Sequence, residues 1–91
     1  MSDVMVGAYS AYATKITPAQ KSLLEKAVGL GVSYSPFAVA TQVVSGTNYR
    51  FLCNAKVIKP NAPLEAKLVQ FYVPIGSETP GEVEIQNISC K

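Results

Sequence analysis

Only one stretch of this chain carries a helical period, and it lies near the N-terminus. Thr17-Pro18-Ala19-Gln20 supplies an N-cap hydroxyl, a proline at the first helical position and a glutamine three residues after the cap. This is the pattern of a capping box, in which the cap and the third helical residue satisfy each other's backbone donors. Leu23, Leu24, Ala27, Val28 and Leu30 then recur at three- and four-residue spacing and make one apolar face. Lys21, Glu25 and Lys26 take the solvent side, with Lys21 and Glu25 placed to pair one turn apart. Gly29 and Gly31 supply the stop, because glycine tolerates a left-handed cap. The expected helix runs from Pro18 to Leu30.

A lone helix must bury its apolar face against another layer, and the rest of the chain reads as strand. Tyr34 to Val44 places Phe37, Val39, Thr41 and Val43 on one face, with Pro36 tolerable near a strand start or bulge. Ser45-Gly46-Thr47-Asn48 is a turn signal between two apolar runs. Tyr49 to Val57 alternates: Tyr49, Phe51, Cys53, Ala55 and Val57 face one way, while Arg50, Asn54 and Lys56 face the other. Pro60-Asn61-Ala62-Pro63 breaks the chain, and a further run over Glu65 to Val73 has apolar residues on both faces, which leaves its register open. Pro74 to Gly81 reads as a loop, and Val83, Ile85 and Ile88 mark a last strand. The first sixteen residues show no helical period and read as an extended arm, part of it a short edge strand. The expected fold is a single α+β domain over residues 1–91: an arm (1–16), a helix (17–31) and a strand meander (32–91). The helix lies across one face of a four- to five-stranded antiparallel sheet.

Composition narrows the function. A hydrophobic share of 48% supports a core, and a net charge of +2 with scattered lysines lacks the basic cluster of a nucleic-acid binder. Histidine is absent, which removes the commonest general base and metal ligand and any Ser-His or Cys-His nucleophile pair. Glu78, Glu82 and Glu84 lie close in sequence but read as solvated surface. Gly29-Leu30-Gly31 follows a helix instead of opening one, the wrong context for a phosphate loop. The two cysteines form neither a disulfide framework nor a zinc site; Cys53 reads as a buried thiol and Cys90 as a thiol at a frayed end. The expectation is no enzyme, no catalytic residue, no metal and no cofactor. No apolar run reaches membrane-span length, and Met1 to Gly7 lacks the features of a signal peptide, so a cytoplasmic protein is expected, with secretion left open.

The turn between the first two long strands is the most informative motif. Gln42-Val43-Val44-Ser45-Gly46 matches a QxVxG pattern, and Gly46-Thr47-Asn48-Tyr49 continues it into the next strand. Tyr72-Val73-Pro74-Ile75-Gly76 supplies a second apolar, proline-bearing bend, and Gly7 stands between an N-terminal trunk and the helix. With the upstream helix and downstream meander, this pattern resembles the cystatins, inhibitors of papain-like, cathepsin-type cysteine proteases, over nearly the whole chain. The resemblance is nearest to the stefins, the intracellular members without disulfides. It implies a wedge made of the arm at Met5, Val6 and Gly7, the loop Gln42, Val43, Val44, Ser45 and Gly46, and the loop Pro74–Ile75. In the family such a wedge occludes the protease cleft reversibly and competitively, without chemistry. The residues suit that use. Exposed Val43 and Val44 win no burial in the monomer, Gly46 admits a positive φ, Gln42 is able to bond the loop backbone, and Ile75 is an apolar anchor on a proline-stiffened loop.

The chain departs from the family where Ile75 replaces a frequent tryptophan, which lowers the area that loop buries. Cys90 resembles the terminal cysteine of secreted members, yet Lys67 stands near its partner's place and Cys53 is expected one strand too far away. A monomer is expected, with a domain-swapped dimer accessible by opening the first hairpin, as cystatins can. The alternative is a non-inhibitory protein-binding module on the same scaffold.

Overall fold

The capping box closes around the start of the helix. In the computed structural model, which describes residues 8–29 and 31–88, Thr17 Oγ1 accepts from the Gln20 N–H at 3.1 Å. Gln20 Oε1 accepts in return from the Thr17 N–H at 3.0 Å. Helix α1 spans Pro18–Val28 and caps on Gly29 at φ 70°. It is shorter than the apolar spacing suggested, because Gly29 takes a conformation that no longer propagates the helix; Leu30 lies outside the described residues. Leu24 is the helix residue fully withdrawn from solvent, flanked by half-buried Leu23, Ala27 and Val28. The predicted apolar face is therefore the one that packs.

Four strands follow in chain order: β1 (Val32–Val44), β2 (Gly46–Val57), β3 (Leu64–Pro74) and β4 (Glu84–Asn87). They pair β1-β2-β3-β4, every pair antiparallel, so the fold is one helix packed against a four-stranded antiparallel open sheet. The register sets Val39, Phe51 and Val69 side by side across the core face. Phe51, Cys53 and Val69 are wholly buried; the Phe51 ring stacks on Tyr49 and Phe71 with centroids 6.0 and 5.7 Å apart, and Tyr49 meets Phe71 tilted at 5.6 Å. The alternation read in β2 holds at Phe51, Cys53 and Ala55, whereas Val57 emerges at the strand end. In β3 the open register resolves with Val69, Phe71 and Val73 inward.

Three expectations are corrected. Phe37 does not share the core with Val39. Pro36 pairs with Cys53 and Ala38 with Leu52, so Phe37 is the extra residue of a β-bulge and stays 44% exposed. Pro36 lacks an N–H and weakens the ladder where the bulge forms. The last strand is confined to Glu84–Asn87, with half-buried Val83 packed against the core ahead of it and Ile88 beyond its end. Among the described residues, the arm adds no fifth strand. It makes two isolated antiparallel bridges to β1, Tyr9 to Gln42 and Ala13 to Val39. The Ser10 N–H donates to the Thr41 carbonyl at 2.8 Å, and Ala13 and Val39 exchange bonds of 2.8 and 2.9 Å.

Cys53 is a free thiol in the centre of the core, opposite Lys67 in the register, as the buried-thiol reading expected. Cys90 lies outside the described residues. Desolvation pushes the Cys53 thiol up from an ordinary 9.0 to about 12. Between those values an unfolded chain releases a proton that the folded chain keeps. The contribution of Cys53 to stability is thus complete below pH 9.0 and falls away as pH rises towards about 12. A urea midpoint that declines over this window, less steeply in Cys53→Ala, is the expected result; equal slopes in both proteins would contradict it.

Candidate functional site

The first hairpin is tighter than its composition suggested. Val44 faces Gly46 directly, leaving Ser45 alone at the tip, while Thr47 and Asn48 lie within β2 opposite Val43 and Gln42. The reversal depends on Gly46, whose φ is 122°. That is a left-handed conformation which side chains rarely adopt. A Cβ there would lie 2.6 Å from both Tyr72 Oη and the Val73 carbonyl oxygen. Tyr72, in β3, also donates its hydroxyl to the Ser45 carbonyl. The tip is therefore braced from the neighbouring strand.

Gln42 sits behind the tip and accepts a hydrogen bond from Asn48 Nδ2 at 2.7 Å. That bond joins two side chains across the hairpin. Val43 is 60% exposed and Val44 39%, so neither is absorbed by packing at the strand end.

The second loop leaves β3 at Pro74. The Ser77 N–H donates to the Pro74 carbonyl at 3.1 Å, and Gly76 takes φ 76°. A positive φ at the third of four residues is the requirement of a type II turn, whose second residue stands at the outer corner. Ile75 occupies that corner and is 82% exposed. The loop is tied down behind it. The Gly81 N–H donates to the Tyr72 carbonyl at 2.7 Å, and Lys26 Nζ reaches from the helix to the Glu78 carbonyl at 3.4 Å.

Sheet register brings these bends together, because Gly46 pairs with Val44 on one side and Pro74 on the other. A cleft of about 280 Å³ opens between them, lined by Val43, Val44, Thr47, Val73, Ile75 and Gly76 among others. The arm runs antiparallel to β1 and has Tyr9 opposite Gln42, so its described start lies at the same end. Met5, Val6 and Gly7 lie outside the described residues. Every other residue expected of the site is at this end. Gln42, Val43, Val44, Ser45, Pro74 and Ile75 are at least partly exposed, while Gly46 is buried and shapes the hairpin rather than its surface.

The described corners of the two bends, Val43, Val44, Pro74 and Ile75, are apolar and exposed. Among the described residues the ion pair is Lys67–Glu65, 3.1 Å, towards the opposite end of β3. Among the same residues no group of three or more His, Cys, Asp or Glu is placed to hold a metal, and no helix is long and apolar enough to cross a membrane. What the arrangement presents is a rigid ridge with apolar corners. Its brace, Tyr72, escaped the sequence reading because a strand apolar on both faces hides which residue points where. No family model matches this chain, and neither a curated protein nor a solved structure matches it.

Proposed function

We propose that this chain is a cystatin-like, reversible and competitive inhibitor of papain-like cysteine proteases. The observation that carries the reading is the register of Val44, Gly46 and Pro74, which sets exposed Val43, Val44 and Ile75 on one ridge. Each of these side chains is worth about 1–3 kcal/mol when moved from water into an apolar cleft. Ser45 and Ile75 are held by a braced hairpin and a hydrogen-bonded turn, so little ordering is left to do on binding. Inhibition follows from occupancy: the ridge excludes substrate from the cleft, and neither bend has to be cleaved. In the same reading Met5 and Val6 contribute to protease contact and Gly7 serves as the hinge of the arm. The cytoplasm, a monomeric state and an accessible swapped dimer belong to the same reading.

Titration of papain with the purified full chain tests it. Activity should vanish near stoichiometric addition, and the chain should be recovered uncleaved. Val44→Asp and Ile75→Asp should each weaken inhibition by about a hundredfold, since a charge on the ridge would be desolvated without a partner. Both positions are exposed, so the urea midpoint should stay close to that of the unmodified chain. No inhibition of papain or a cathepsin-type enzyme at large excess would sink the proposal and leave a non-inhibitory binding module as the reading of the ridge.

A further inference from the structure

On the outer face of the sheet the described arm makes a specific contact with a strand that is not its neighbour. The guanidinium carbon of Arg50 lies 3.9 Å from the centroid of the Tyr9 ring. Arg50 belongs to β2, so the Tyr9 ring reaches across β1 to meet it. Its β1 partner is Ala40, which is buried and has no side chain beyond Cβ to obstruct the ring. From the other side Arg50 Nε donates to Gln70 Oε1 of β3 at 2.9 Å, which fixes the plane of the guanidinium. Among the described residues Arg50 has no ion pair, so the ring and Gln70 are its partners.

Beside this stack, the described arm meets β1 through the Tyr9–Gln42 and Ala13–Val39 bridges, the Ser10 and Ala13 backbone bonds and Ser10 Oγ, which accepts from the Thr41 N–H at 3.1 Å. A segment near a chain end, paired to its neighbour by isolated bridges rather than a continuous ladder, is prone to local opening. We propose that the Tyr9–Arg50 stack is a clasp that holds the arm on β1 and fixes its described start, at Tyr9, at the end of the sheet that carries the two bends. The clasp stands on the contacts themselves. Its use in protease binding rests on the function proposed above. Gln70 acts through Arg50, and both are positioning residues.

Amide hydrogen exchange on the full chain decides the first half. Tyr9→Leu keeps bulk but removes the π face, and Arg50→Met removes the cation but keeps the stem. Either should speed exchange at the Ser10 and Ala13 amides by about two- to fivefold, the scale of an exposed cation–π contact. Tyr9→Phe retains the ring and should keep wild-type protection, and the Phe51 and Val69 amides should not change in any variant. Unchanged Ser10 exchange in both Tyr9→Leu and Arg50→Met would overturn the clasp.

Papain inhibition decides the second half. Tyr9→Leu should weaken inhibition by up to about fivefold. Combined with Val6→Ala, it should cost less than the sum of the two, because both act through one arm. Strict additivity would overturn the positioning role, as would an unmodified chain that does not inhibit. In that last case the exchange data still judge the clasp, so the two failures are distinguishable.

Discussion

Replacing Gly46 by alanine should destabilise the protein by about 3 kcal/mol, read as a lower urea midpoint at unchanged slope. Two terms add. The backbone at φ 122° is strained for any residue with a Cβ. The new methyl would also overlap the Tyr72 hydroxyl and the Val73 carbonyl oxygen, each 2.6 Å away. Tyr72 can swing aside at the loss of its bond to Ser45, worth about 1 kcal/mol. The Val73 carbonyl belongs to the β2–β3 ladder and cannot move without it. A midpoint equal to that of the unmodified chain would show that the hairpin does not need this conformation. The result also guards the functional test. Lost inhibition in a Gly46 variant reports a distorted hairpin, whereas lost inhibition in Val44→Asp at full stability reports a lost contact.

Phe51→Ala should cost about 4 kcal/mol, the range for emptying a buried phenylalanine site. Phe51 is 0% exposed and its ring stacks on both Tyr49 and Phe71, so the neighbours cannot close the void without breaking their own contacts. A chain of 91 residues holds only about 5–13 kcal/mol in total, which puts this variant near the limit of folding. Cys53, two residues along on the same face, reports the damage directly. Its thiol is buried in the intact protein and should label slowly at neutral pH, then rapidly in Phe51→Ala. Equal labelling rates, with an equal urea midpoint, would refute the assignment of Phe51 as the centre of the core.

The elements legible in the sequence are those whose signals are local. The Thr17 cap, Pro18, Gln20 and the Leu23–Leu24–Ala27–Val28 spacing all concern one helix and agree with one another. The Tyr49 to Val57 alternation is equally self-contained. Where the reading went astray, a second segment decided the outcome. Phe37 left the core because a bulge after Pro36 changed the register against β2. The turn at Ser45 closed more tightly than its four polar and small residues suggested, because Tyr72, 27 positions later, braces it. The β3 register was undecidable alone, since Leu64, Ala66 and Leu68 on one face are as apolar as Val69, Phe71 and Val73 on the other. The site divides in the same way. Val43, Val44 and Ile75 were conspicuous as apolar residues at bends. The stack of Tyr9 on Arg50 joins residues from an arm and a strand that only the folded sheet brings together.

The two borders of the sheet are finished differently. On the β4 side the outermost strand is four residues long, too short a hem for another chain to grip. On the β1 side the outermost strand is thirteen residues long, and Ser10 and Ala13 of the arm lie stitched along part of it. A nicked or shortened preparation starting beyond Ala13 would uncover that selvedge, and its molecules would tend to knit together in the tube.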